Sequence, residues 1–104
     1  MSVSPTQRSL KKLREEGWIA EVTERWIPGA NIRKDLWGFV DILCLRDGQL
    51  LGVQSTSYAN VSARVKKIAD SELVGEVRKA GIALTVHGWR KVNGRWVCRE
   101  VCCD

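Results

Sequence analysis

The chain has 104 residues, of which 44% are hydrophobic and 28% charged, and a formal net charge of +5. This length suits one domain with one modest core, and the composition excludes a disordered or collagenous chain. No apolar run is long enough to cross a bilayer and the start lacks a signal-peptide core, so we expect a cytoplasmic protein. The positive charge favours an acidic partner such as nucleic acid.

The four cysteines contain no C-x-x-C pair. In a chain without a secretory signal, we expect reduced, half-buried thiols on strands, neither disulfides nor a zinc site. These cysteines are Cys44, Cys98, Cys102 and Cys103.

The first third of the chain predicts a helix followed by two strands. Residues 4–7 (Ser-Pro-Thr-Gln) form a capping box that begins a helix, and Gly17 ends it. Residues 18–26 alternate and predict a first strand, in which Glu24 interrupts an otherwise apolar face. After a Pro-Gly loop, the near-continuous apolar run 36–45 predicts a second strand that is buried on both faces.

A hairpin follows, because Asp47-Gly48 is a strong signal for a two-residue turn. The returning strand is predicted over residues 49–56. With this turn, strand pairing sets Asp41 directly opposite Gln54. Thr56 lies one step further along the same face.

The second half predicts a helical crossover. From Asn60 the apolar spacing is helical, and Asn60, Arg64 and Lys67 form a polar stripe beside it. A second helix, capped by Asp70 or Ser71, ends at Gly81.

Two further strands, over residues 82–89 and 95–102, flank an Asn-Gly turn. This turn places His87 opposite Glu100, and we interpret the two as a cross-strand structural pair. We expect Trp89 and Trp96 to cover the core of a small sheet instead of stacking on bases. The whole order predicts an α/β fold: a helix, a three-stranded antiparallel meander, a helical crossover that permits a parallel fourth strand, and two further strands in a mixed sheet.

Asp41 is a carboxylate within an apolar run, and an unpaired buried carboxylate is costly. Its partner is either Gln54 alone, through a structural hydrogen bond, or a divalent metal held between the two residues. Mg²⁺ takes oxygen ligands, so the Asp41 carboxylate and the Gln54 amide oxygen form a small ligand set.

Glu24 is the best candidate for a further metal ligand, because it interrupts the apolar face of the neighbouring strand. The alternative is a strand-end salt bridge to Arg25 or Arg33. Asp35 ranks below Glu24, as a loop or capping residue.

The segment Gly38-Phe39-Val40-Asp41-Ile42-Leu43-Cys44-Leu45, the Asp-Gly turn and Leu51-Gly52-Val53-Gln54-Ser55-Thr56 together resemble the core of the PD-(D/E)XK nuclease superfamily. The resemblance is strongest to its Holliday-junction-resolvase-like and phage-encoded branches, and covers nearly the whole chain in element order. It implies a restriction-endonuclease-like core that hydrolyses DNA with Mg²⁺ or Mn²⁺.

In that superfamily an aspartate on the second strand and an acid on the third bind the metal, and a lysine two positions later helps to activate water. Asp41 matches the first position, whereas Gln54 stands at the second acid and Thr56 at the lysine. Members of the superfamily replace the acid by glutamine or supply the lysine from a neighbouring helix. The resemblance therefore implies catalytic roles for Lys67 or Arg64 as well.

The resemblance also implies that the chain works as a homodimer on DNA, with branched or junction DNA among the expected substrates, without a small-molecule cofactor. Basic residues on the first helix, in the loop and on the helical stripe, together with Asn60, would contact the DNA backbone. The basic residues are Arg8, Lys11, Lys12, Arg14, Arg33, Lys34, Arg64 and Lys67. Two alternatives stay open: a catalytically inactive nuclease-fold protein that binds DNA or regulates, and a small protein-interaction module.

Overall fold

The computed structural model describes residues 3–103 and shows an α/β fold with a mixed five-stranded sheet. The helices are α1 (Pro5–Glu15), α2 (Val61–Ala69) and α3 (Val74–Lys79), with a 3₁₀ turn over Tyr58–Asn60. The strands are β1 (Ile19–Val22), β2 (Arg25–Ile27), β3 (Ile32–Lys34), β4 (Ile42–Arg46), β5 (Gln49–Ser57), β6 (Ile82–Val92) and β7 (Arg95–Cys102). None of the helices within the described range is long and apolar enough to span a bilayer.

Helix α1 begins and ends where the sequence predicts. The Ser4 hydroxyl accepts a hydrogen bond from the backbone N–H of Gln7 at 3.2 Å. Gly17, with φ of +93°, follows its last turn and adopts a conformation that favours glycine.

The sheet has the order β1-β4-β5-β6-β7, and all its neighbours are antiparallel except β5 and β6. Parallel neighbours need a long crossover, which α2 and α3 supply. The predicted helical crossover and parallel fourth strand are therefore confirmed. Both hairpin registers are also confirmed: Leu45 pairs with Leu50, and His87 with Glu100.

The prediction of one continuous strand over residues 18–26 is wrong. Strand β1 ends at Val22; the backbone N–H of Thr23 makes one more in-register bond, to Asp41 O, and the Thr23 hydroxyl donates to Val40 O. The chain then leaves the sheet and forms a separate β2–β3 hairpin.

The prediction of a second strand over residues 36–45 is also wrong at its start, because β4 begins at Ile42. Residues 36–40 form a tight turn that is closed by a bridge between Leu36 and Val40. Trp37 and Gly38 have φ of +55° and +82°, which no regular strand contains.

Smaller corrections concern the second half. Helix α3 begins at Val74, later than a cap at Asp70 or Ser71 predicts, and the Ser71 hydroxyl accepts from the N–H of Leu73 in the preceding turn. Trp96 is 44% exposed and does not cover the core. Cys44, Cys98 and Cys102 are free thiols, and burial raises the pKa of Cys44 to about 11.

The sheet buries an apolar cluster on each face. Helix α1 covers one face, where Leu10 and Leu13 pack with Ala20, Ile42, Cys44 and Val53. Helices α2 and α3 cover the other face. The buried residues of this cluster, from the helices and from the sheet side, include Phe39, Val40, Val61, Ile68, Val74, Val77, Ile82, Leu84 and Val86. Residues of β5 alternate between the two faces, so Gln54 points to the α2–α3 side and Ser55 to the α1 side.

Candidate metal centre

Asp41 lies at the point where β1 and β4 diverge. Its backbone N–H donates to Val53 O at 2.8 Å, and its carbonyl accepts from the N–H of Thr23 at 2.7 Å. Its side chain is only 3% exposed. The backbone therefore holds this carboxylate in the sheet although regular pairing starts one residue later.

Gln54 is the direct partner of Asp41, as the hairpin register predicts. Its Nε2 donates to Asp41 Oδ2 at 2.7 Å, and the backbone N–H of Ser55 donates to the same oxygen at 2.8 Å. Gln54 is 2% exposed, and its Oε1 is buried with no hydrogen-bond partner. A buried carbonyl without a donor is costly, so this oxygen is a place for a ligand.

Glu24 and Asp35 join Asp41 at the base of the β2–β3 hairpin. One carboxylate oxygen from each of the three residues lies within 4.8 Å of the others. Continuing the hairpin register by one step beyond Arg25 and Lys34 sets Glu24 opposite Asp35. Directly opposed like charges destabilise a hairpin unless a cation lies between them.

Asp35, which the sequence ranks below Glu24, lies in the same cluster. The signal for this placement is the four-residue turn Pro28-Gly29-Ala30-Asn31 between two short segments that each contain isoleucine, which is typical of a hairpin. That hairpin places Asp35, which follows β3, opposite Glu24, which precedes β2.

Two cations accompany the three carboxylates. Arg33 Nη1 lies 3.4 Å from Glu24 Oε1, which is the salt bridge that was the alternative to metal binding, and Lys67 Nζ lies 3.9 Å from Asp35 Oδ2. Burial, and then the neighbouring carboxyl of Asp35, raise the pKa of Asp41 to about 7. Without a metal, Asp41 is therefore partly protonated near pH 7. This proton, together with Arg33 and Lys67, reduces the repulsion among the three carboxylates.

The candidate donors are all oxygens: the three carboxylates, and the carbonyl of the Gln54 amide whose nitrogen donates to Asp41. Oxygen ligands of this kind suit hard divalent cations such as Mg²⁺ and Mn²⁺, and the absence of sulfur and imidazole disfavours zinc or copper. The residues present fit such an ion, since it would neutralise the clustered charge and coordinate the unpartnered oxygen.

The other predicted site residues lie at different distances from this cluster. Lys67 contacts it, whereas no ion pair joins Arg64 to it within residues 3–103. Thr56 is buried on β5, on the same face as Gln54. Asn60 is exposed and its side chain donates to Ser57 Oγ at 3.0 Å.

The predicted DNA contacts divide between two faces. Arg33 and Lys34 lie on β3, next to Asp35, and are exposed. Lys11 and Lys12 lie on α1, which covers the opposite face of the sheet, and Lys12 forms an ion pair with Glu16 at 2.5 Å.

A second polar cluster, which the sequence did not reveal, lies on the α1 side. Ser9 Oγ contacts Ser55 Oγ at 2.8 Å, His87 Nδ1 at 2.9 Å and Trp89 Nε1 at 2.9 Å. Glu100 Oε1 lies 3.0 Å from His87 Nε2, but the angle between the two groups does not suit a hydrogen bond. The set resembles a hydrolytic triad in composition, but Ser9 is fully buried and its hydroxyl has three partners, so we assign it a structural role.

Comparison of the chain with protein-family models, with curated proteins and with solved structures finds no significant match. The function is therefore inferred from the geometry of this site.

Proposed function

We propose that this chain is a divalent-metal-dependent endonuclease that hydrolyses DNA phosphodiester bonds. The observation that carries the proposal is the convergence of Glu24, Asp35 and Asp41 within 4.8 Å beside the unpartnered Oε1 of Gln54. The net charge of +5 is consistent with a polyanionic substrate.

A bound Mg²⁺ or Mn²⁺ supplies a water of lowered pKa and stabilises negative charge on the phosphoryl oxygens. The carboxylates of Glu24, Asp35 and Asp41 would hold the ion, and the amide oxygen of Gln54, next to Asp41, would be a further ligand. Lys67, on the α2 side of the cluster, adds positive charge that stabilises the phosphoryl oxygens as their charge develops. No covalent nucleophile is required.

The test is cleavage of labelled duplex, single-stranded and four-way-junction DNA in Mg²⁺, Mn²⁺ or EDTA. Asp41→Asn keeps the shape of the side chain but removes the ligand charge, and we expect it to lower the cleavage rate at least about 100-fold. Asp70→Asn, on an exposed surface ion pair with Lys66, is the matched control and should cleave as the unmodified chain does. Equal rates for both variants, or cleavage in EDTA, would contradict the proposal.

One observation favours a second function, a catalytically inactive nuclease-fold protein that binds DNA. Gln54 Nε2 already satisfies Asp41, and buried Thr56 occupies the position where the resembled superfamily has its lysine. This function predicts DNA binding that neither EDTA nor Asp41→Asn changes, and no cleavage. Sedimentation of the same preparations tests the proposed homodimer.

A further inference from the structure

Two hairpins of the chain carry cations but no carboxylate. Residues 25–34, which form the β2–β3 hairpin, contain three cations and no carboxylate. Residues 88–99, the outer part of the β6–β7 hairpin, contain four cations and no carboxylate. The remaining residues carry ten cations and twelve carboxylates, and four of those ten cations lie on α1, which covers the opposite face of the sheet.

Both hairpins project from the end of the sheet where the metal cluster lies. Strands β1, β5 and β6 run toward this end, and β4 and β7 run away from it. The β2–β3 hairpin follows the last residue of β1, and Asp41 immediately precedes β4. The outer part of the β6–β7 hairpin extends past Ser57, the last residue of β5. The candidate centre therefore lies between the two basic hairpins.

The cations of the hairpins are available to an external anion. All seven are exposed, and Arg33 alone has a carboxylate within ion-pair distance among the described residues. Arg90 and Arg99 instead lie over the ring of Tyr58, at 4.1 and 5.5 Å from its centre. The seven are Arg25, Arg33, Lys34, Arg90, Lys91, Arg95 and Arg99.

The β2–β3 hairpin also presents an aromatic ring. Trp26 is 54% exposed, pairs across the hairpin with Arg33, and has no hydrogen-bond or cation–π partner among the described residues. An exposed indole next to cations is the arrangement on which an unpaired base stacks, whereas bases inside a duplex are already stacked on each other.

We propose that the two hairpins form a bipartite surface that binds a nucleic-acid strand with unpaired bases across the metal cluster. Three strand spacings, about 14 Å, separate β1, which the first hairpin follows, from β6, which begins the second. The placement of the scissile phosphate between the hairpins rests on the proposed function. The binding itself does not require the metal.

The test is binding of a fluorescent 20-nucleotide single strand and of the matching duplex, measured in EDTA over a range of salt concentrations. We expect Arg25→Gln/Lys34→Gln and Lys91→Gln/Arg95→Gln each to weaken binding of the single strand about tenfold and to reduce the salt slope by about 1.4, since each removes two phosphate contacts. Lys66→Gln/Lys79→Gln removes two exposed cations from α2 and α3 and is the matched control, expected to leave the slope unchanged.

Trp26→Ala separates stacking from charge. We expect it to weaken binding of the single strand about tenfold and to leave binding of the duplex within about twofold. An RNA strand of the same sequence, run in parallel, distinguishes DNA from nucleic acid in general.

Equal weakening by the hairpin and control variants would overturn the proposal, because it would show diffuse attraction to a basic protein. Unchanged binding in the hairpin variants, with metal-dependent cleavage retained, would overturn the bipartite surface and leave the nuclease proposal intact. Loss of cleavage in Asp41→Asn with full binding in EDTA would support both. A change in sedimentation of the hairpin variants without any change in binding would make the hairpins an interface between copies and overturn the proposal.

Discussion

Asp41 and Gln54 share one hydrogen bond, and its direction decides what the pair can do. Because the amide nitrogen donates to Asp41, the amide oxygen of Gln54 is left without a donor in the buried interior. The pair therefore satisfies the carboxylate and leaves a carbonyl for a ligand. A purely structural pair would leave neither group unpartnered.

Replacing Gln54 by glutamate tests this interpretation. In EDTA, we expect Gln54→Glu to lower the free energy of unfolding by about 3 kcal/mol, because a fourth carboxylate is buried and Asp41 loses its amide donor. With Mn²⁺ we expect the affinity to rise about tenfold, since a charged ligand replaces a neutral one. Urea unfolding and calorimetry measure the two quantities. Gln49→Glu, at the exposed start of β5, is the control and should change neither.

His87 makes stability depend on pH. Burial lowers its pKa from the ordinary value of 6.5, against an opposing effect of Glu100, while Lys12 lowers it and Glu16 raises it. Below about pH 6.5 the unfolded chain therefore binds a proton that the folded chain resists, and stability falls as the pH falls. We expect the contribution of His87 to the urea midpoint to decrease between pH 7.5 and pH 5.

The contribution of His87 is obtained by difference. His87→Gln removes the titrating group, so the stability of this variant relative to the unmodified chain should increase as the pH falls from 7.5 to 5. The comparison is needed because the raised pKa of Asp41 acts in the opposite direction, favouring the folded state as the pH falls. Parallel pH profiles for the two proteins would contradict the assignment.

At the scale of elements, the contact between β6 and the start of the crossover depends on one glycine. A Cβ at Gly88 would lie 2.1 Å from Val61 Cγ2 and 3.2 Å from the backbone Cα of Tyr58. Only glycine therefore lets the 3₁₀ turn and the first residue of α2 pack directly on this strand.

We expect Gly88→Ala to lower the free energy of unfolding by about 1–3 kcal/mol, the usual cost of overpacking a core. Gly75→Ala, in α3, is the control: no atom lies within 4 Å of its added Cβ, and alanine raises helix propensity. Thermal unfolding of the two variants should shift in opposite directions. A Gly88→Ala variant as stable as the unmodified chain would show that α2 can move away from β6 without cost.

The five-stranded sheet carries an apolar cluster on each face, and neither cluster exists without the strands they share. We expect Leu13→Ala and Ile68→Ala, one on each face, to lower the free energy of unfolding by about 2–5 kcal/mol each. Both variants should still unfold in a single transition, because loss of either cluster exposes the same strands. Fluorescence and circular dichroism transitions that no longer coincide would indicate that the faces unfold separately.

Local chemistry was sufficient to predict much of the fold. The capping box before α1 and the two tight turns, Asp47-Gly48 and Asn93-Gly94, act within a few residues of the backbone they shape. Because a two-residue turn determines strand pairing, the register alone brought Asp41 next to Gln54 and His87 next to Glu100. These pairs follow from the order of residues without knowledge of any other contact.

Only the tertiary structure decided where the strands break and which acids meet. Alternation continues from residue 18 to residue 26, yet the ladder with β4 ends at Thr23, because residues 25–27 pair instead with residues 32–34 in a separate hairpin. Likewise, Asp35 joins Glu24 and Asp41 only because a hairpin returns it to the edge of the sheet. A periodic pattern reports which side chains avoid water, and it contains no information about a partner that long-range folding brings near.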